Sequence, residues 1–328
     1  MEITTDNRNI SFTMGETKPE PVVEKKPLYI NLFIAVPCYG DSVMTSFMHS
    51  ISELSKEMEK RHIAFNFVTV STESLITRAR NGLMSNFLSQ TKHTHLFFID
   101  SDIEFDAVSV VKLLAADKDV IGGIYPLKRI NKDKLKENAG LFRKERNLPE
   151  DYKFTDEDMK FISSKSLSYA FTPEKNTMQM SNHCIEVTDI ATGFMMIKRH
   201  VIEKMVKQYP ELEYQPFQND QYGTGIKYYA LFDTMIHPKT GIYLSEDYAF
   251  CKRWVDMGGK IHIRTDIDLT HIGQHYYRGN VKLRLTTNVN EPKPLPIDEL
   301  KKAVDDVEKE ISEKGNSIST IKSKKEKI

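Results

Sequence analysis

The sequence predicts an α/β domain with a Rossmann-like, mostly parallel central sheet flanked by helices, followed by an amphipathic C-terminal helix. Three observations carry that expectation. The apolar run 29–36 (YINLFIAV), a stretch with Phe47, Ile51, Leu54 and Met58 at helical spacing, and a second run at 63–70 together spell a strand-helix-strand unit. The run Leu96-Phe97-Phe98-Ile99 is apolar without alternation, as a strand buried on both faces requires. A chain of 328 residues with 40% hydrophobic content can enclose one large core, so we expect a single domain at 28–285 between an arm at 1–27 and a tail at 286–328.

Composition excludes several classes. Lys plus Arg and Asp plus Glu both number 46, so no global field favours nucleic acid, and any anion site must be built locally. Cys38, Cys184 and Cys251 stand far apart without metal-type spacing, which suits a reducing compartment and a cytoplasmic protein. No stretch reaches the roughly 20 apolar residues of a membrane span. The polar, Pro-containing arm lacks the apolar region of a signal peptide and is expected to be disordered.

In chain order, Pro37-Cys38-Tyr39-Gly40-Asp41 is a turn at the carboxyl end of the first strand, where open α/β sheets hold ligands. A helix with Leu75, Ala79, Leu83 and Phe87 on one stripe carries Arg78, Arg80 and Asn81 toward the strand 96–99. That strand runs into Asp100-Ser101-Asp102. If the backbone stays extended, Asp100 and Asp102 point the same way and form a seat for a hard cation; the alternative is a solvated acidic turn. Asp106 is placed to cap a helix to Ala116, and a strand at 119–121 ends at Gly122-Gly123, suited to close approach or a tight turn. Residues 128–165 are charged and weakly periodic and read as a partly helical excursion. Strands are expected at 167–171, 183–190 and 192–197, then a helix at 200–208. An aromatic, glycine-dotted stretch at 215–243 precedes a helix capped by Ser245, with Glu246 and Asp247 in its first turn. Two strands follow, the second ending at His271. Ile297, Leu300, Val304, Val307 and Ile311 make the C-terminal seam, which would dock on the domain or form a homodimer.

In order, the strings FIAVPCYG, SLITRARN, HLFFIDSD, ATGFMMIKR and YLSEDYAFCKRW, with GG and THIG after them, resemble a GT-A fold glycosyltransferase of the family-two-like type found in microbes and their viruses. The resemblance covers 28–279. It implies a hexosyl- or pentosyltransferase using a UDP- or GDP-sugar donor, a Mn²⁺ or Mg²⁺ ion, and a glycan, glycoprotein or other hydroxyl acceptor. Asp102, Asp100 and His271 would serve the metal. Pro37, Tyr39, Glu73, Arg80, Asn81, Asp100, Ser101, Thr192 and Gly193 would line the nucleotide-sugar. By the same resemblance Asp247, with Glu246 beside it, would be the general base of an inverting reaction. Two other readings fit parts of the sequence: a sugar nucleotidyltransferase, for which PCYGD offers one Gly and no Lys, and a non-catalytic nucleotide- or glycan-binding module.

Overall fold

The first predicted strand forms at Asn31–Pro37 because every residue from Asn31 to Val36 is buried, leaving no solvent face to alternate with. The computed structural model describes residues 2–5, 10–13, 29–173, 177–216 and 225–285. All of these except Tyr29 belong to one unit, Met1–Gly15 with Ile30–Thr287; the second unit, Glu16–Tyr29 with Asn288–Ile328, otherwise lies outside the described residues. The expected C-terminal helix, basic tail and dimer seam at 286–328 lie outside the described residues, as does most of the arm at 1–27. Within that arm, however, Glu2–Thr5 (β1) and Ile10–Thr13 (β2) pair antiparallel, where the sequence suggested disorder.

From Asn31–Pro37 (β3) the chain runs through α1 (Thr45–Lys60), β4 (Ala64–Val70), α2 (Ile76–Ser89), β5 (His95–Ile99), β6 (Ile103–Phe105), α3 (Ala107–Ala116) and β7 (Val120–Gly123). The charged excursion folds as α4 (Lys132–Glu145) and α5 (Asp156–Ser166). Then come β8 (Phe171–Pro173), β9 (Thr177–Ser181), β10 (Cys184–Ile190), β11 (Phe194–Lys198) and α6 (Arg199–Gln208). Two short pairs, β12 (Glu213–Tyr214) with β13 (Tyr228–Tyr229) and β14 (Met235–Ile236) with β15 (Tyr243–Leu244), lead to α7 (Glu246–Asp256). The described chain ends with β16 (Ile261–Arg264), β17 (Leu269–Ile272), β18 (Tyr276–Arg278) and α8 (Val281–Leu285).

The main sheet has the order β2-β1-β9-β10-β16-β7-β11-β5-β3-β4, with β8 paired to β10. It is mixed, not mostly parallel. The pairs β3–β4, β3–β5 and β7–β16 are parallel, but β11 lies antiparallel between β5 and β7, and β8, β9, β10 and β16 meet antiparallel. The parallel expectation holds for β3, β4 and β5, which α1 and α2 join by crossovers. It fails for β8 to β11, where α4 and α5 and three further strands intervene before β11 enters in reverse between β5 and β7.

Local signals act as expected in α3, where the Asp106 carboxylate accepts from Val108 N at 2.9 Å. In α5, Thr155 and Asp158 form a reciprocal capping box. Gly122 is needed for strand contact: a Cβ there would stand 2.8 Å from both Ile190 Cδ1 and Phe194 O. An aromatic layer joins the sheet to α7, with Phe98 edge-on to Phe232 at 5.2 Å and Phe232 stacked on Phe250 at 4.3 Å. At the far end of α7, Trp254 lies flat against Gly259, where a Cβ would come within 2.1 Å of the indole, and Nε1 donates to Lys260 O at 3.2 Å.

Candidate active site

The carboxyl ends of β3, β4 and β5 meet because these strands are parallel neighbours. The turn after β3 is held by Cys38 N to Val70 O (2.9 Å) and Gly40 N to Ser71 O (3.1 Å), with Gly40 at φ +82°. Met44 N donates to Ser101 O (3.1 Å), so this turn lies against the acidic turn after β5. Pro37 ends β3, and Tyr39 is 70% exposed above it.

The two acids of Asp100-Ser101-Asp102 do not converge. The chain turns after Ile99, closed by Ile103 N to Asp100 O at 3.1 Å, and each carboxylate takes its own cation. Asp100 receives Arg80 Nη2 at 3.0 Å, and Arg80 Nε reaches Glu246 Oε1 at 3.3 Å. Arg80 is only 4% exposed and lies over the Phe98 ring at 5.4 Å. Burial opposes its charge, but Asp100 and Glu246 outweigh burial and hold the guanidinium pKa above its usual value. One buried residue thus ties the end of β5 to the start of α7.

Asp102 meets Lys128 Nζ at Oδ2 and has His271 Nε2 3.5 Å from Oδ1. Burial would raise this carboxyl, yet the His271 and Lys128 contacts prevail and hold it below the usual carboxylate range. His271 sits on β17, which pairs with β6 immediately after the acidic turn. Its Nδ1 lies 2.9 Å from Pro126 O, an atom that can only accept, so Nδ1 carries a proton and Nε2 faces Asp102. The Tyr125 ring stands edge-on to His271 at 5.1 Å, and its hydroxyl oxygen accepts from Gly193 N at 3.0 Å; burial raises that phenol well above its usual value. A Cβ at Gly193 would lie 2.4 Å from Tyr125 Oη and 2.7 Å from Asp100 Oδ2, so only glycine fits between them. Two buried polar atoms here, Arg80 Nη1 and Thr192 Oγ1, lack a hydrogen-bond partner among the described residues.

On α7, Ser245 does not cap the helix backbone as expected; its hydroxyl donates to Asp247 Oδ1, which also receives Tyr248 N at 2.9 Å. Both bonds fall on Oδ1, and Oδ2 has none among the described residues. Asp189 of β10 adds a further acid: burial first, and Asp247 as a like charge, raise its carboxyl against the hydrogen bonds from Thr172 and Thr188.

Two residues expected near the nucleotide are engaged elsewhere. Glu73 Oε1 accepts from Leu75 N (2.8 Å) and Arg78 Nη2 (2.7 Å), at the start of α2. Asn81 is buried and accepts Phe232 N at 2.7 Å, which pins the loop carrying the aromatic layer. Lys128, Tyr125 and Asp189 were not singled out from the sequence. The lysine lies in a charged stretch without periodicity, and the tyrosine looks like ordinary filler after a glycine pair.

Among the described residues no three His, Cys, Asp or Glu side chains group as a metal-binding cluster. Asp102 and His271 nonetheless fit a hard divalent ion as a pair. Such ions often take one or two protein ligands and complete their shell with water and substrate phosphates, and the Pro126 carbonyl fixes the tautomer that presents Nε2. Asp100 is committed to Arg80.

No protein-family model matches the chain, and no curated protein matches it. Among solved structures, the chain is similar to the crystal structure of A197 from STIV at 15% identity and TM-score 0.39, covering 81% of this chain and 100% of that one. It is also similar to a 4-diphosphocytidyl-2C-methyl-D-erythritol synthase from Anaerococcus prevotii at 11% identity and TM-score 0.27, covering 69% and 99%. Likeness at this level says nothing of activity. What the side chains themselves establish is a mixed α/β domain whose strand ends gather Asp100, Asp102, Arg80, His271 and Glu246.

Proposed function

We propose that the chain is a metal-dependent glycosyltransferase that moves a sugar from a UDP- or GDP-sugar to an acceptor hydroxyl, with inversion. The observation that carries this reading is the bridge Asp100–Arg80–Glu246, which brings the DSD turn and the SED helix start into one cluster from positions 146 residues apart. Asp102 and His271 would hold Mn²⁺ or Mg²⁺, which when bound neutralises the departing diphosphate.

Asp247 is the base in this scheme. Its Oδ1 is fixed by Ser245 and Tyr248, and Oδ2 is left to accept the acceptor's hydroxyl proton. The acceptor oxygen then bonds to the sugar's anomeric carbon as the bond to the diphosphate breaks, and the nucleoside diphosphate leaves. Glu246 acts through Arg80, with which it is paired, and Gly193, packed closely against Asp100 and Tyr125, would lie beside the donor sugar.

The test is a screen of UDP- and GDP-sugars with Mn²⁺, read as nucleoside diphosphate release and sugar incorporation. Transfer by the wild type and its loss in Asp247→Asn, with donor binding retained, is the expected result. Release of pyrophosphate from a nucleoside triphosphate and a sugar 1-phosphate would replace this reading with nucleotidyl transfer. Donor binding without any turnover would replace it with a binding module.

A further inference from the structure

Lys128 was not part of any sequence motif, yet it occupies the side of Asp102 that a cation would use. Its ammonium contacts Oδ2 while His271 Nε2 faces Oδ1 of the same carboxylate. The backbone that presents it is fixed. Leu127 N donates to Ser168 O (2.8 Å), the Pro126 carbonyl meets His271 Nδ1, and Pro126 Cδ packs where a Cβ on Gly279 would stand 2.7 Å away. The side chain is less constrained, being 37% exposed. Its stem passes over Gly273, where a Cβ would lie 3.1 Å from Lys128 Cδ, so this glycine leaves the stem its path.

A partly exposed lysine-carboxylate pair is weak and easily exchanged, because water competes for both charges and the stem is flexible. A divalent cation on Asp102 and His271 repels the ammonium by like charge. A diphosphate bound to that cation brings negative charge that the single dication does not cancel, within reach of the displaced ammonium. We propose that Lys128 is an exchangeable counter-ion: it pairs with Asp102 until the divalent cation binds, yields the carboxylate to that cation, and then binds the donor's diphosphate. This rests on the metal-diphosphate reading above and adds to it a residue and an order of events.

The test uses the full chain. Mn²⁺ binding is followed by the paramagnetic resonance of the free ion, and UDP binding at saturating Mn²⁺ by calorimetry, for wild type, Lys128→Met, Lys128→Arg and Asp102→Asn, with circular dichroism confirming the fold. Lys128→Met is expected to bind Mn²⁺ about 5-fold more tightly, because its competitor is gone. It should bind UDP about 10-fold more weakly, because a charge-assisted contact is lost. Lys128→Arg should restore UDP binding. Unchanged or weaker Mn²⁺ binding in Lys128→Met, while Asp102→Asn abolishes it, would overturn the exchange and leave the metal seat standing. Equal Mn²⁺ binding by wild type and Asp102→Asn would overturn both.

Discussion

Replacing Arg80 by methionine removes the cation that Asp100 and Glu246 share and keeps a stem of similar length against Phe98. Breaking a buried ion pair from one side costs about 3–5 kcal/mol, because the remaining charge has lost its partner. The Asp100 and Glu246 side chains are 26% and 15% exposed and keep some water contact, so the lower end, about 3 kcal/mol, applies. At roughly 2–4 °C per kcal/mol for a domain of this size, Arg80→Met should melt about 6–12 °C below wild type at pH 7. Adding Asp100→Asn and Glu246→Gln should recover most of this loss, since uncharged side chains leave no unbalanced charge. Differential scanning calorimetry of the three proteins is the assay. Melting of Arg80→Met within 1 °C of wild type, or a triple variant less stable than the single one, would refute this account of the cluster.

Gly193→Ala should destabilise the fold by about 1–3 kcal/mol in urea unfolding, because the new methyl meets the Tyr125 hydroxyl at 2.4 Å and the buried ring cannot retreat. Asp247→Asn should abolish transfer while leaving the melting temperature and Mn²⁺ binding near wild type, as measured by product formation and thermal unfolding. Burial holds His93 and His95 down to about 4, against 6.5 for a free imidazole. The unfolded chain therefore takes up these protons first, so stability is full above pH 6.5 and falls as the pH drops toward 4. Each imidazole contributes up to about 1.4 kcal/mol per pH unit, and His95→Gln should flatten the measured slope of unfolding free energy against pH. Thr155→Ala should cost about 1 kcal/mol through loss of the α5 capping box, read by chemical denaturation.

The sequence made β3, β5, α1 and α3 readable because their signals are local: unbroken apolar runs, a helical stripe, and Asp106 as a cap. Strand direction is not local. Nothing in Phe194–Lys198 says that it will enter between β5 and β7 in reverse, since that depends on where the chain was left by α4, α5 and β8 to β10. The site divides the same way. Asp100, Asp102, Arg80, Glu246, Asp247 and His271 were named from the sequence as a set, and the fold brings the acids, arginine and histidine to one end of the sheet. Their pairing was not legible: alternation aimed both DSD acids at one ion, whereas a turn sends them to separate partners, Arg80 and Lys128. Asn81 reads as a ligand residue until Phe232, 151 positions away, claims its side chain.

Trp254 is the chain's one tryptophan, and it rides on the helix that begins with Glu246 and Asp247. Its indole rests on the bare face of Gly259, with no side chain at that residue to cushion it. Emission from the intact protein therefore comes from a single tryptophan on α7. Trp254 is only 4% exposed, so any release of α7 from the core would bring the indole into water and change its emission. The protein thus carries an unlabelled optical gauge of how α7 is packed, readable in a stopped-flow cell during unfolding and refolding.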